Sequence, residues 1–316
     1  MKQKIIVIAG PTGSGKSALA IEIAEKLNGE IVCADSLTVY RRLDIGSAKP
    51  TREQQARVKH HLLNIREPLE PFTAADFNRE ASRAIESIAA KGKKPIIAGG
   101  TGLYIKTLLG GLMDAPGENL EIRNDLRALA EKSGPEAIYE KLKAVDPATA
   151  EKLHPGNLVR TIRALEVYLA TGKPLSMLQK QHAFAEKRFD ALQICLDLQR
   201  EQLYSRIEAR VDQMFEDGLL DEVKGLLADG LSPGLKPLGA IGYREIIGFI
   251  RGEYDLEEAK RLIKLNTRHY AKRQLTWFRR EAEMLWIAYP EKSANIANYC
   301  FMHFEDGGNP HVQGPL

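Results

Sequence analysis

The sequence predicts an α/β fold, a parallel sheet core interrupted by an all-helical insertion. Three observations carry this: apolar runs of strand length alternate with amphipathic helical stretches near the start, helical periodicity alone fills about 120–181, and strand character returns at 192–198. The first strand is the run Ile5 to Ala9, and a helix follows over Ser17–Leu27. Glu30 to Ala34 reads as a second strand, Ala74–Lys91 as a helix, and Pro95 to Ala98 as a third strand, so the repeat is βα and the sheet parallel. Leu126, Leu129 and Ala130, then Ile138, Leu142 and Val145, then Ile162, Leu165 and Leu169 recur at helical spacing with no β-branched run between them. Leu192 to Leu198 resumes the sheet, a helix follows over Arg200–Asp217, and Met284 to Ala288 supplies a last strand. The expected organisation is a discontinuous core over 1–112 and 191–305, a helical insertion over 113–190, and a loose Gly/Pro-containing tail over 306–316.

Directly after the first strand stands Gly10-Pro11-Thr12-Gly13-Ser14-Gly15-Lys16-Ser17, the spacing of a phosphate-binding loop that joins a strand to a helix. Its glycines let several N–H groups turn inward, Lys16 adds a point charge, and the Ser17 hydroxyl is placed to ligate Mg²⁺. The core is therefore expected to be P-loop NTPase-like. The loop alone does not say whether phosphate is cleaved, transferred or expelled.

Composition narrows the class. The chain has 316 residues, 44% hydrophobic and 28% charged, which is ordinary for a soluble globular protein. No signal-peptide core or membrane-length apolar run is present, so a cytoplasmic protein with no membrane partner is expected. Cys33, Cys195 and Cys300 form no CxxC pair, and Cys300 with His303 is at most half a metal site, so neither disulfide nor zinc is expected. The net charge of +3 conceals an asymmetry: 260–280 holds eight Lys/Arg and no Asp/Glu, with His269, Tyr270, Trp277 and Phe278 interleaved. That is the footprint of a nucleic-acid backbone contact, although a solvated helix face has the same composition.

In a parallel α/β sheet the strand C-termini converge on the ligand crevice, which brings Asp35 and Thr101 toward whatever the P-loop holds. Asp35 can accept a proton or cap a turn; Thr101, within Gly99-Gly100-Thr101-Gly102, can donate to a phosphate or simply sit in a tight turn. The strand 95–98 lacks the acidic end usual in P-loop NTPases. Arg206 and Arg210 lie four apart on one helix face, fit either for a diphosphate or for ion pairs with Glu201 and Glu208. Arg160 and Arg163 admit the same two readings, and Arg273, Trp277 and Arg280 are spaced to share a face.

These residues together resemble the bacterial tRNA dimethylallyltransferases. The likeness rests on the P-loop, Asp35-Ser36-Leu37-Thr38-Val39-Tyr40, Asp44-Ile45-Gly46-Ser47-Ala48-Lys49-Pro50, the run 98–105, Arg163 to Val167, Ala240-Ile241-Gly242-Tyr243 and the run 267–279, in order along nearly the whole chain. The resemblance implies transfer of a dimethylallyl group from dimethylallyl diphosphate to N6 of adenosine 37, beside the tRNA anticodon, with Mg²⁺ and release of diphosphate. It implies Asp35 as general base, Thr101 at the acceptor nucleotide or donor phosphate, and Arg210 with Lys16 and Ser17 on the leaving group. It further implies tRNA contacts from Asp35, Ser36, Leu37 and Thr38; from Arg123; from Val159, Arg160, Thr161, Ile162 and Arg163. Ala240, Ile241, Gly242, Tyr243, Arg244 and Glu245, and then Arg273, Gln274, Trp277, Arg279 and Arg280, complete that set. Thr38 stands where many members carry Gln, and Ser17 where Thr is commoner. A monomer is the simpler expectation. The other readings are a nucleotide or small-molecule kinase, a prenyltransferase acting on free adenine nucleotides, and an RNA-binding NTPase. The first two need neither the insertion nor the basic helix, and the third needs an acidic strand end after Lys94.

Overall fold

The computed structural model describes residues 2–290 and 293–305; the tail expected over 306–316 lies outside the described residues. A six-stranded, all-parallel sheet in the order β3-β2-β4-β1-β5-β6 forms the centre of the core. Its first half comprises β1 (Lys4–Ala9), α1 (Lys16–Lys26), β2 (Gly29–Cys33), α2 (Arg52–Arg57), β3 (His60–His61), α3 (Ala74–Ala90), β4 (Lys94–Gly99) and α4 (Gly102–Gly110). The helical segment holds α5 (Leu120–Ser133), α6 (Pro135–Val145), α7 (Pro147–Ala150), α8 (Leu158–Thr171) and α9 (Leu175–His182). The core resumes with β5 (Asp190–Asp197), α10 (Arg200–Glu216), α11 (Leu219–Ala228), α12 (Tyr243–Ile250), α13 (Leu256–Phe278), β6 (Leu285–Ala288) and α14 (Ser293–Glu305).

β1 is apolar throughout because it is buried on both faces. Ile5, Val7 and Ala9 point into one layer with Phe77, Ile85 and Ile97, while Ile6 and Ile8 point into the other with Leu19, Ile23 and Ile194. The two-residue β3 extends the edge beyond β2, where Glu30, only 3% exposed, accepts from His61 Nε2 at 2.7 Å and Lys93 Nζ at 2.9 Å. Burial alone would raise its carboxyl; the Lys93 and His61 hydrogen bonds override this and hold it at about 2. On α14, Cys300 is buried in the apolar layer beside α1, and His303 Nε2 donates to the Asp190 carbonyl at 3.2 Å. Both residues are thus engaged in packing.

The chain divides into two compact units, residues 1–109 with 187–316, and Gly110–Glu186. Where the core chain leaves and re-enters, Arg188 N–H donates to the Leu109 carbonyl at 3.1 Å. The Arg188 guanidinium reaches the Asn78 amide oxygen at 2.6 Å, and the Asn78 amide donates to the Thr107 carbonyl at 2.6 Å. In the helical unit, Leu126, Ile138, Leu142, Ile162 and Leu165 form a separate apolar core. No helix among the described residues is long and apolar enough to cross a membrane.

Candidate active site

The loop after β1 is built around two left-handed glycines, Gly13 at φ +80° and Gly15 at φ +90°. Space demands glycine as well: a Cβ on Gly13 would stand 2.9 Å from Ile207 Cγ1, and one on Gly15 2.9 Å from Tyr289 Cε1. Gly15 caps α1, so the open N–H groups of that helix face the loop. Lys16 Nζ donates to the Pro11 carbonyl at 3.2 Å, and Ser17 is exposed at the first turn. Arg206 and Arg210 both face the loop from α10: Arg206 Nη1 is 3.5 Å from the Ser14 carbonyl, and Arg210 Nη1 is 3.4 Å from Thr12 Oγ1. Glu208, one of the alternative ion-pair partners, instead binds Arg268 at 2.8 Å.

Electrostatically this is a cationic pocket lacking enough counter-charge. Burial, and then the Arg210 guanidinium, push the Lys16 ammonium down to about 8, against an opposing pull from Asp35. Burial likewise depresses Arg210, opposed by Asp35. Neither cation forms an ion pair with a carboxylate among the described residues. A bound polyanion would supply what is missing.

Asp35 follows β2. Its Oδ1 accepts from the Leu37 N–H at 2.8 Å and the Thr38 N–H at 3.4 Å, which fixes the carboxyl, while Oδ2 has no partner among the described residues. The carboxylate therefore caps a turn with one oxygen and keeps the other available. Ser36 is exposed, Leu37 half-buried, and Thr38 buried with an unpaired hydroxyl that borders the cavity. Gly99-Gly100-Thr101-Gly102 turns out to be a packing surface. Added Cβ atoms would meet the Ala34 carbonyl oxygen at 2.1 Å, Gln274 Nε2 at 2.2 Å and Trp277 Cδ1 at 2.2 Å, for Gly99, Gly100 and Gly102 respectively. Thr101 N–H donates to the Ala34 carbonyl at 3.2 Å; its hydroxyl is buried beside the Tyr270 phenol without a well-directed hydrogen bond.

Between these parts lies a cavity of about 440 Å³. Its polar lining includes Lys16, Ser17, Asp35, Arg210 and Arg273, and its apolar lining includes Cys33, Phe72, Tyr104 and Met214. That combination suits a small ligand with an anionic head and an apolar body. Ala240, Ile241, Gly242 and Arg244 also border the cavity.

Several residues expected to touch a partner are interior instead. Tyr243 is fully buried; its hydroxyl donates to Glu222 Oε1 at 2.8 Å, and Glu222 also accepts the N–H groups of Asp44, Ile45 and Gly46 at 2.9, 2.7 and 3.1 Å. Glu245 is buried and accepts from Gly242 N–H at 2.8 Å and Asn266 Nδ2 at 2.9 Å. Tyr243 and Glu245 thus lock the 44–46 and 240–245 segments from inside, while Arg244 stays exposed and Ala240 and Ile241 half-buried at the cavity. Gln274 is 5% exposed and joins the P-loop to the glycine turn. Trp277 lies on Gly102, half-buried; Arg273, Arg279 and Arg280 are exposed. Arg273 and Trp277 lie four apart on α13 and share a face beside the buried stripe of Ala271, Gln274 and Phe278, whereas Arg280 lies beyond the helix end at Phe278.

The basic segment is also divided. Lys260 and Lys264 both pair with Asp212 at 2.8 and 2.7 Å, Arg261 with Glu258 at 2.6 Å and Arg268 with Glu208 at 2.8 Å. Lys272, Arg273, Arg279 and Arg280 have no carboxylate partner among the described residues. Only that second half offers uncompensated charge.

Within the helical unit, Val159 is 81% exposed and Arg160 is exposed, whereas Thr161 and Ile162 are buried on the opposite side of α8 and are corrected to core residues. Arg123 and Arg163 converge on Glu166, which is 0% exposed: Arg123 Nε at 3.0 Å, Arg163 Nη1 at 2.6 Å, with Asn119 N–H at 2.6 Å. Glu166 falls within the run Arg163 to Val167 but has no expected role there, and Glu222 falls in no motif; an isolated Glu on an amphipathic helix reads as surface.

The family profile described as IPP transferase matches residues 38–281. A tRNA dimethylallyltransferase 1 from Trichlorobacter lovleyi is 60% identical over 296 residues, covering 94% of this chain and 97% of that one. A tRNA dimethylallyltransferase from Geobacter metallireducens is 52% identical, covering 93% and 96%. Among solved structures, the tRNA isopentenylpyrophosphate transferase of Bacillus halodurans is similar at TM-score 0.71 and 38% identity, covering 96% of this chain and 97% of that one. A eukaryotic dimethylallyltransferase acting on tRNA is similar at TM-score 0.80 and 30% identity, covering 99% and 82%. With a profile match over most of its length and near-full-length relatives at such identity, the chain belongs to the IPP transferase family.

Proposed function

We infer that the chain transfers a dimethylallyl group from dimethylallyl diphosphate to N6 of adenosine 37, next to the tRNA anticodon, releasing diphosphate. The observation that carries this reading is the pairing of under-neutralised Lys16 and Arg210 with a fixed carboxylate, Asp35, around one cavity that also has apolar walls. A diphosphate head fits the cations and a five-carbon chain fits the apolar lining. As the allylic C–O bond breaks, its electron pair leaves on the diphosphate oxygen, where Lys16, Arg210 and the P-loop N–H groups absorb the charge. Adenine N6 forms the new C–N bond and loses a proton, which Asp35 Oδ2 accepts; the lone pair of N6 is otherwise delocalised into the ring. Single-stranded loop bases are the accessible targets, since a base must leave its stack to enter the cavity.

The residues present also fit Mg²⁺. Ser17 is exposed beside Lys16, and the described residues contain no cluster of three or more His, Cys, Asp or Glu that would form an all-protein cage. That donor set suits a hard cation held by one hydroxyl, ligand phosphate oxygens and water. When bound there it would neutralise charge on the leaving diphosphate. Arg160 and the four cations of 272–280 that lack a carboxylate partner are the exposed candidates for the tRNA backbone, and Val159 is an exposed candidate for an apolar contact with the tRNA. The deciding assay incubates the protein with dimethylallyl diphosphate, Mg²⁺ and unmodified tRNA bearing adenosines at 36 and 37, then measures nucleoside mass. A prenylated adenosine is expected; ATP hydrolysis with no mass gain in the tRNA would refute the reading.

A further inference from the structure

Gln274 sits on the basic helix, yet its side chain points into the core and makes two directed hydrogen bonds. Its Oε1 accepts from the Thr12 N–H of the P-loop at 2.8 Å, and its Nε2 donates to the Gly100 carbonyl at 2.9 Å. Thr12 in turn presents Oγ1 to Arg210 Nη1 at 3.4 Å. A buried primary amide is the side chain that can accept at one end and donate at the other in this plane. The neighbours show that the fit is close: a Cβ on Gly100 would stand 2.2 Å from Gln274 Nε2, so only glycine fits beside the amide.

We propose that Gln274 is a positioning residue for the leaving-group site, holding Thr12, and through it Arg210, in place against the Gly100 carbonyl, instead of contacting tRNA. The proposal rests on the prenyl-transfer reading. Its chemistry distinguishes it from a packing role. In Gln274→Glu the ionised carboxylate still accepts from Thr12 N–H but turns a second acceptor on the Gly100 carbonyl, which destabilises the link. Protonation restores the missing donor. Burial and the facing carbonyl raise the pKa of a Glu here, Asp35 adds to the rise, and the Lys16, Arg210 and Arg273 cations of the same cavity oppose it, which keeps recovery in the mildly acid range.

The test measures steady-state prenyl incorporation into tRNA for the wild type, Gln274→Glu and Gln274→Met between pH 6 and 8, with tRNA affinity from filter binding. A kcat loss on the order of 10- to 100-fold is expected at pH 8 for both variants, since small misplacements at a reacting centre have effects of that size. The Gln274→Glu deficit relative to wild type should shrink as pH falls to 6, and that of Gln274→Met should not. Affinity for tRNA should stay within about twofold, because no phosphate contact is removed. A weakened tRNA affinity with unchanged kcat would overturn the proposal, as would a Gln274→Glu deficit independent of pH. Inactive wild type would refute the prenyl-transfer reading instead, so the two failures are distinct. Should Gln274→Met fold poorly, the pH response of Gln274→Glu alone decides the matter.

Discussion

Replacing Lys16 by Met should make the unliganded protein more stable while abolishing turnover. The ammonium sits at about 8, against 10.5 for the free side chain, because burial and the Arg210 charge oppose its protonation. Lowering a lysine in this way means that the folded protein holds the proton less tightly than the unfolded chain. Below pH 8 both forms are protonated and the full cost is present; between 8 and 10.5 the cost disappears as pH rises. A displacement of this size corresponds to about 3 kcal/mol at neutral pH. By linkage it shrinks to about 1 kcal/mol at pH 9.5. Met retains most of the aliphatic stem, so the variant should gain up to that amount at pH 7, a rise of roughly 6 °C in Tm for a unit of this size. Thermal unfolding at pH 7 and 9.5, without diphosphate, measures it. A Lys16→Met protein no more stable than wild type at pH 7, or a gain that does not shrink at pH 9.5, would refute the account of a charge held at the expense of the fold.

Three further outcomes follow from the same structure. Glu30, held at about 2 by Lys93 and His61 despite burial, contributes stability that is present above about 4.5 and is lost as pH falls toward 2, so Glu30→Gln should reduce neutral-pH stability by about 2–3 kcal/mol and flatten the acid limb of a stability-versus-pH curve. Neutralising Lys272, Arg273 or Arg280 should weaken tRNA binding and reduce the slope of log affinity against log salt by about one per charge, whereas Lys260→Ala and Lys264→Ala, already paired with Asp212, should leave the slope nearly unchanged. Glu166→Gln should remove the buried charge that Arg123 and Arg163 share, leaving them Glu118 and the Pro116 carbonyl as partners and destabilising the helical unit by about 1–3 kcal/mol, read by loss of hydrogen-exchange protection in α5 and α8.

The sheet was legible because β1 and the centre of β4 are covered on both faces and read as continuous apolar runs, and β5, interrupted only by Gln193, keeps the apolar stretch Ile194 to Leu196. β3 was not, since two histidines carry no strand pattern, and the His61 contact with Glu30 of β2 is made only once the fold brings the two together. The P-loop was legible because its glycines and lysine are dictated locally by turn and charge. The facing of α13 was not. A polar residue on a basic helix looks like surface whichever way it points, and Gln274 is turned inward by partners far away in sequence, Thr12 and Gly100. The same blindness applies to charge: 260–280 reads as one cationic stripe, but the carboxylates that neutralise its first half come from α10 and the start of α13 itself. Thr161 and Ile162 stand in one contiguous run with their exposed neighbours Val159 and Arg160, but a helix distributes consecutive residues around its circumference.

The neck at Leu109 and Arg188 carries a consequence for how this architecture evolves. The two ends of the inserted segment leave the core as hydrogen-bonded neighbours, and the Asn78 side chain braces both from within the core. Closing a loop costs free energy that grows only as the logarithm of its length, about 0.6 kcal/mol per doubling. The fold of the sheet is therefore nearly indifferent to how much chain hangs from that neck. A lineage can lengthen, trim or exchange the module between 110 and 186 while the sheet and its P-loop stay intact.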